Sequence, residues 1–305
     1  MMSIAVIGAG KWGSALHLAL KENHTCFISS LHQRNLEDFI SIEEALKCQY
    51  LVFALSSQGI RTWLKENFIN KGQKILIASK GIEDQSCQFL DEIFLNFVSK
   101  ENFCVLSGPS FAAEVMQKLP TALMISGVNL ELCKTFASFF PNFIKTYIDD
   151  DVRGAEICGA YKNVLAIASG ISDGLKLGNN ARAALISRGL IEMHRFGKFF
   201  GAKEETFLGL SGAGDLFLTA TSVLSRNYRV GLKLAQNQKL DSILAELNEV
   251  AEGVKTAYAI EKLAKMKGIY TPIVNEIVAI FKGKSVQEAT QNLLKQDDLR
   301  KNHDN

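Results

Sequence analysis

Ser3-Ile4-Ala5-Val6-Ile7-Gly8-Ala9-Gly10-Lys11-Trp12-Gly13 is the stretch that decides the fold. Residues 3–7 have the pattern of a short buried strand and run straight into Gly-x-Gly-x-x-Gly, after which Ala15, Leu16, Leu18 and Ala19 follow helical spacing. Each glycine has its own use in such a turn. Gly8 permits a tight bend, Gly10 lets a pyrophosphate approach the backbone, and Gly13 allows the helix to pack closely on the strand. The free N–H groups and the positive dipole end of that helix then face the anion. Gly-x-Gly-x-x-Gly alone is a weak signal; lodged between a strand and a helix, it predicts a dinucleotide site.

Outward from this turn the alternation continues. Residues 25–29 read as a second strand, and the position at its end commonly carries the acid that binds the ribose 2′-OH of NAD. Here Ser29 and Ser30 occupy it, with His32 and Arg34 close behind and no acid before Glu37. A guanidinium can pair with a 2′-phosphate, so NADPH is expected to be accepted. Strand patterns at 50–55, 74–79, 103–106, 121–126 and 143–148 alternate with helical ones at 60–68, 87–98 and 130–139. The pattern predicts an α/β, Rossmann-like, doubly wound sheet whose ligands lie beyond the carboxyl ends of its strands. Two strand ends carry candidate chemistry there: Lys80-Gly81, and Ser107-Gly108-Pro109-Ser110-Phe111-Ala112, a small-residue turn that opens a helix. The plain structural alternatives are a surface lysine for Lys80 and a helix cap for Ser110.

The 305 residues suggest two domains. A net charge of +2 gives no reason to expect nucleic acid or a membrane surface as partner. The six cysteines lack any Cys-x-x-Cys or neighbouring histidines and read as buried small hydrophobes in a reducing compartment. The first strand pattern leaves no room for a signal peptide and no apolar run spans a bilayer, so a cytoplasmic protein is expected. After Asp149-Asp150-Asp151 the strand patterns stop. The expected division is 1–148, binding the dinucleotide, and 149–305, all helical and binding the substrate.

In the helical half, residues 152–172 are apolar nearly all round yet carry Lys162 beside Asn163. A lysine in such surroundings needs a partner or a lowered pKa, and desolvation makes it a usable acid or base near neutrality; the alternative is snorkelling to the surface. A helical pattern at 181–200 follows. Gly212-Ala213-Gly214-Asp215-Leu216 then delivers one acid at a helix start, as a cap or as a site residue. Ser225-Arg226-Asn227 supplies a hydroxyl, a guanidinium and an amide suited to a phosphate ester. Val250-Ala251-Glu252-Gly253 holds another isolated acid. Thr271-Pro272 reads as an N-cap with proline at the first helical position, and Ser285-Val286-Gln287-Glu288 as a capping box.

The chain resembles the bacterial NAD(P)-dependent glycerol-3-phosphate dehydrogenases along nearly its whole length. The segments quoted above carry the resemblance, together with Ser79-Lys80-Gly81, Gly159-Ala160-Tyr161-Lys162-Asn163-Val164 and Asn180-Ala181-Arg182-Ala183-Ala184-Leu185-Ile186, in the family's order. The resemblance implies a Rossmann-like N-terminal domain, an all-α C-terminal domain of the 6-phosphogluconate-dehydrogenase-like kind, and usually a homodimer. It implies reduction of dihydroxyacetone phosphate to sn-glycerol 3-phosphate with NAD(P)H, which supplies glycerophospholipid synthesis. By that likeness Gly8, Gly10, Lys11, Trp12, Gly13, Arg34, Ala112, Val250 and Glu252 bind the cofactor, and Lys80 sits where cofactor and substrate meet, with Gly108 and Ser110. Lys162 matches the catalytic lysine, and Asp215, Ser225, Arg226 and Asn227 match the substrate-binding set, Arg226 being shared with the cofactor. The chain departs from the family pattern at four places. Lys11 stands where Ser is usual, Ser56 replaces a proline, residues 35–44 are shortened, and the tip after the second strand lacks Arg/His-Asp-Pro. Two rival readings are a hydroxy-acid dehydrogenase of similar architecture, which would prefer a carboxylate lacking phosphate, and a dinucleotide sensor, which would bind without turnover.

Overall fold

In the computed structural model, which describes residues 3–247 and 252–295, the opening stretch forms strand β1 (Ser3–Ile7) and the helix Lys11–Leu20. Both faces of β1 are covered: Ile4 and Val6 pack in one layer with Ala15 and Leu16, and Ala5 and Ile7 in the other with Trp63 and Leu64. A strand buried on both sides has no solvent face to keep polar, hence its unbroken apolar run. Strands β2 (Thr25–Ser29), β3 (Tyr50–Phe53), β4 (Lys74–Ile77) and β5 (Phe103–Ser107) join it in the order β2-β1-β3-β4-β5, all parallel. β6 (Thr121–Ser126) and β7 (Ile144–Asp149) complete seven strands.

β6 runs antiparallel to β5, while β7 is parallel to β6. The alternation of patterns had not distinguished this reversal. A parallel crossover needs a long connection, usually a full helix. Between β5 and β6 there is only the five-residue helix Ala112–Met116, which packs on the helix Lys11–Leu20. The helix expected over 87–98 is likewise reduced to Leu90–Phe94. Cys87 has a left-handed backbone (φ 58°), and Phe89 is extended, its N–H bonded to the Glu92 carboxylate at 3.0 Å, so helical geometry starts only after it.

Among the described residues no strand follows β7. Asp151, the last of the three aspartates, caps the helix Val152–Gly174 by accepting from Gly154 N at 2.8 Å, and its other oxygen accepts from Lys203 N and Thr206 Oγ1. Every residue of this helix from Gly154 to Ser172 is buried. The helix Arg226–Leu234 crosses it at backbone distance, Gly231 lying against Ile167 and Gly170 against Tyr228. Two further helices, Asn179–Phe199 and Pro272–Phe281, pack on it. Pro272 does start its helix, but the Thr271 side chain makes no capping bond. Glu192 caps instead, accepting from Ile273 N (2.8 Å), Val274 N (3.1 Å) and Tyr161 Oη (2.8 Å), which fastens three helices together. Ser285 accepts from Glu288 N at 3.1 Å, the first half of the expected capping box. All six cysteines are buried and free. No helix of the described residues is long and apolar enough to cross a membrane.

Candidate active site

The glycine turn sits at the carboxyl edge of β1, between β2 and β3. Gly8 has φ 116°, and a Cβ there would stand 2.5 Å from Ala54 O; a Cβ on Gly13 would stand 1.7 Å from Gly8 O. Nothing lies within 4 Å of a Cβ on Gly10. Two glycines are therefore required by packing, while the third faces open space. Gly10 also caps the helix Lys11–Leu20 without any side-chain acceptor, so the helix end offers its N–H groups outward. No acid occupies the first helical turn, and Lys11 adds a positive charge there. A cation opposes the helix dipole at this end, a cost that an anion bound beside it would offset. These residues fit a dinucleotide pyrophosphate.

Trp12 donates its indole N–H to Ala78 O just past β4 (3.1 Å) and packs, with Ala112, against the core beneath this edge. Arg34 is exposed in the loop after β2. The shortened segment that follows is tied back to the sheet, with Ile28 N donating to Asp38 O and Ile40 N to Ile28 O. Lys21 pairs with Glu37 at 2.7 Å and Asp38 at 3.2 Å, so the first acids after β2 are engaged by the neighbouring helix. Val250 lies outside the described residues.

Lys80 leaves the end of β4 and crosses to the helical half, its stem lying over Gly159, where a Cβ would meet the lysine Cγ at 3.5 Å. Its Nζ is 2.9 Å from Asp215 Oδ2 and 3.5 Å from Gly108 O. Lys162 donates to Asp215 Oδ1 and, at 3.1 Å, to Thr219 Oγ1. Asp215 is fully buried, so it is neither a solvated helix start nor a simple cap. Lys162 is 7% exposed, which excludes snorkelling. One carboxylate thus serves two ammonium groups in a desolvated space. Burial pushes Lys162 down to about 7, the Lys80 charge adds to that, and Asp215 opposes it. For Asp215, burial favours the neutral acid, but the two lysines outweigh it and hold the carboxyl below its usual range.

Next to this trio, Ser110 Oγ donates to Gly108 O at 3.1 Å; the cap of the following helix is Phe111, not Ser110. Ser107 and Ser211 share a hydrogen bond of 2.7 Å across the two halves. On the far side, Asn227 Oδ1 accepts from Gly253 N at 3.2 Å. Ser225 caps the helix Arg226–Leu234, its hydroxyl accepting from Tyr228 N at 3.3 Å, so its oxygen is engaged within the helix start. Burial raises Glu252 to about 7, opposed by the charge of Arg226, the N–H of Ser57, the charge of Lys80 and the hydroxyl of Ser56. The departure at Ser56 therefore has a local reason: it supplies a donor to Glu252.

The structure thus brings Lys80, Gly108, Ser110, Lys162 and Asp215 together, with Arg226, Asn227 and Glu252 linked to the same region through Lys80 and Gly253. Arg34 stands apart in the exposed loop beyond β2. Thr219, Ser57 and Ser211 were not anticipated as site residues. Thr219 had a usable signal, since it lies four residues after Asp215 on one helix and so on the same face.

A phosphate-ready glycine turn at a sheet edge, with a lysine from that edge and a buried lysine of the helical half meeting on one buried carboxylate, defines a two-part dinucleotide-dependent oxidoreductase. Two family models match, the NAD-dependent glycerol-3-phosphate dehydrogenase N-terminus over residues 21–133 and the C-terminus over 151–291. The chain belongs to the NAD-dependent glycerol-3-phosphate dehydrogenase family. It is 94% identical over 297 residues to a glycerol-3-phosphate dehydrogenase [NAD(P)+] of Campylobacter jejuni subsp. doylei, covering 97% of this chain and 100% of the relative. It is 64% identical over 293 residues to one from Campylobacter lari, covering 96% and 98%. The crystal structure of a Coxiella burnetii glycerol-3-phosphate dehydrogenase superposes with a TM-score of 0.89 at 32% identity, covering 97% of this chain and 99% of that one.

Proposed function

We infer that the chain is an sn-glycerol-3-phosphate dehydrogenase that reversibly reduces dihydroxyacetone phosphate with NAD(P)H, with residues 1–148 as cofactor domain and 149–305 as substrate domain. The observation that carries this reading is the Lys80–Asp215–Lys162 trio, built on a buried carboxylate at the sheet edge that also holds the glycine turn. When bound, NAD(P)H supplies the hydride that the carbonyl carbon accepts. The protein's own tasks are to orient the substrate and to handle one proton.

Lys162, with a pKa of about 7, gives its proton to the developing alkoxide oxygen and takes it back in the reverse direction. Asp215 and Thr219 hold its Nζ in place. Lys80 polarises the same oxygen or holds the phosphate. Arg226 and Asn227 anchor the phosphate from the start of their helix, where Ser225 fixes the first turn. Gly108 and Ser110 shape the turn where substrate and cofactor meet. Gly8, Gly10, Lys11 and Gly13 hold the pyrophosphate; Trp12, Ala112, Val250 and Glu252 contact the cofactor, with Lys80 and Arg226 shared. Arg34 favours acceptance of the 2′-phosphate. The reading extends to a cytoplasmic homodimer whose product feeds glycerophospholipid synthesis.

The direct test follows NADPH and NADH absorbance with dihydroxyacetone phosphate. Both cofactors are expected to be oxidised; oxidation of neither would overturn the reading. Arg226→Ala is expected to raise KM for the phosphorylated substrate about 10- to 100-fold, the loss of a charge-assisted hydrogen bond of about 1.5–3 kcal/mol. An unchanged KM removes Arg226 from the anchor. The glycine turn gives a paired prediction. Gly10→Ala should fold normally yet raise KM for NADPH about tenfold or more, because its methyl fills the space a pyrophosphate needs. Gly13→Ala should lower Tm, since its Cβ meets Gly8 O and overpacking costs about 1–3 kcal/mol. Equal melting of the two variants would show that the glycines do not divide in this way.

A further inference from the structure

Leu210-Ser211-Gly212-Ala213-Gly214 makes one wide, π-helical turn immediately before Asp215 opens the helix Asp215–Ala220. Such turns are rare and recur at functional sites. Neither this turn nor the helix after it has a side-chain cap, and two of its five residues are glycine, which loosens a backbone. Packing fixes one side of it, since a Cβ on Gly212 would stand 2.1 Å from Phe207 O. Its other side is fastened to the first half of the chain. Ser211 Oγ lies 2.7 Å from Ser107 Oγ, and both serines are buried. Ser107 is a firm point: it ends β5, pairs with Met124 of β6 and precedes the bend at Gly108, where φ is 103°. Asp215, by contrast, has to stand between two ammonium groups from different elements, Lys80 after β4 and Lys162 of the long helix. Its Oδ1 also accepts from Thr219 Oγ1, 3.3 Å away on its own helix. These contacts turn the carboxylate but do not place its backbone, because lysine stems are flexible and follow their partner. The backbone of Asp215 is placed by the turn before it.

We propose that Ser211, pinned by Ser107, is a positioning residue of the site: its hydroxyl fixes the turn that sets Asp215 between Lys80 and Lys162. The inference rests on the reading of Lys162 as the proton donor, and it gives a part in that chemistry to two hydroxyls engaged with each other. One of them donates and the other accepts, so removing either leaves the survivor buried without this partner. The glycines of the turn then let its backbone relax away from β5, and Asp215 moves with it. Lys162 is held by that carboxylate, so the ammonium moves too. The bond also runs between the two halves of the chain, which makes the sheet edge the reference point for a proton donor that belongs to the helical half.

Ser211→Ala, Ser107→Ala and the double variant test this, each by initial rates of NADPH oxidation with dihydroxyacetone phosphate across pH and by urea titration. In Ser211→Ala kcat should fall about tenfold, short of the 10²-fold that a misplacement of about 1 Å can cost. KM for the substrate should change less, because the proposed anchor, Arg226 and Asn227, stands on another helix. The pH midpoint of reduction should move to lower pH by about half a pH unit or more. Of the two charges facing Lys162, Asp215 has the greater influence and favours the ammonium, so loosening it lets burial prevail. The double variant should be no slower than the slower single one, since each hydroxyl acts through the other. Wild-type kcat in Ser211→Ala overturns the proposal, as does a lowered kcat with the midpoint unmoved, and so do losses that multiply in the double variant. Lower urea stability with unchanged kinetics would mark a merely structural contact and overturns it too. Should Ser211→Ala fail to fold, Ser107→Ala, which leaves the turn's own sequence intact, must show the same fall and the same shift; unchanged kinetics overturn the proposal. If wild type itself oxidises no NADPH with this substrate, the dehydrogenase reading fails rather than the positioning.

Discussion

Lys162→Ala is expected to lower kcat about 10²- to 10⁴-fold, the range for removal of a general acid, while NADPH still binds. The loss should fall on chemistry and not on folding, because the substitution leaves Asp215 paired with Lys80 at 2.9 Å and strands no buried charge. The pH dependence follows from the same site. Burial and Lys80 set Lys162 at about 7, so reduction, which needs the ammonium, should decline as pH rises through that value, and oxidation, which needs the amine, should rise. Stability has a definite sign as well. The folded pKa lies below the ordinary lysine value of 10.5, so between about 7 and 10.5 the unfolded chain binds more protons and stability increases with pH. Lys162→Met should flatten that part of the stability profile. Initial rates in both directions, with urea titrations at several pH values, check both statements; near-normal turnover of Lys162→Ala removes the lysine from its role.

What could be read from residues alone follows the kind of force involved. The central strands β1, β3, β4 and β5 were legible because they are buried on both faces, and an apolar run such as Tyr50–Phe53 records that directly. The long helix was legible for the same reason, with Lys162 conspicuous in it. The reversal at β6 was not, since it depends on how a short helix docks and leaves no periodic trace. Nor was the capping of Pro272–Phe281 by Glu192, which stands far away in sequence; a local rule assigns Thr271, and a tertiary contact replaces it. In the site, Lys80 and Asp215 were each ambiguous alone, as a surface lysine and a helix cap. Their meeting across 135 residues resolves both at once. Ser225 went the other way: its hydroxyl completes a helix end by accepting from Tyr228 N, a local role that its place in a phosphate-suited triplet did not reveal.

Gly231→Val is expected to destabilise the protein by about 3 kcal/mol or more, at the upper end of overpacking costs, and to raise KM for the phosphorylated substrate as well. Even a Cβ at this position would stand 2.1 Å from Ile167 O and 2.8 Å from Ile171 N, which are backbone atoms of the central helix and cannot swing aside. The helix Arg226–Leu234 must therefore lift or turn, and its first residues, Arg226 and Asn227, move with it. A Cβ on Gly170 would stand 2.1 Å from Tyr228 O in the same crossing, so both helices keep this approach open with glycine and neither can take up the strain alone. Position, and not only stability, is at stake, because the proposed anchor residues belong to the first helix and Lys162 to the second. A displacement between them should weaken substrate binding strongly and cofactor binding only through the shared Arg226, the pyrophosphate being assigned to the glycine turn. Gly59→Ala is the control: the nearest atom to its Cβ is 4.0 Å away, and neither Tm nor KM should change. Thermal melts with paired KM measurements decide the matter. A Gly231→Val protein that melts normally refutes the tight crossing, and one that melts early with an unchanged substrate KM shows that the crossing holds the fold together without setting the anchor.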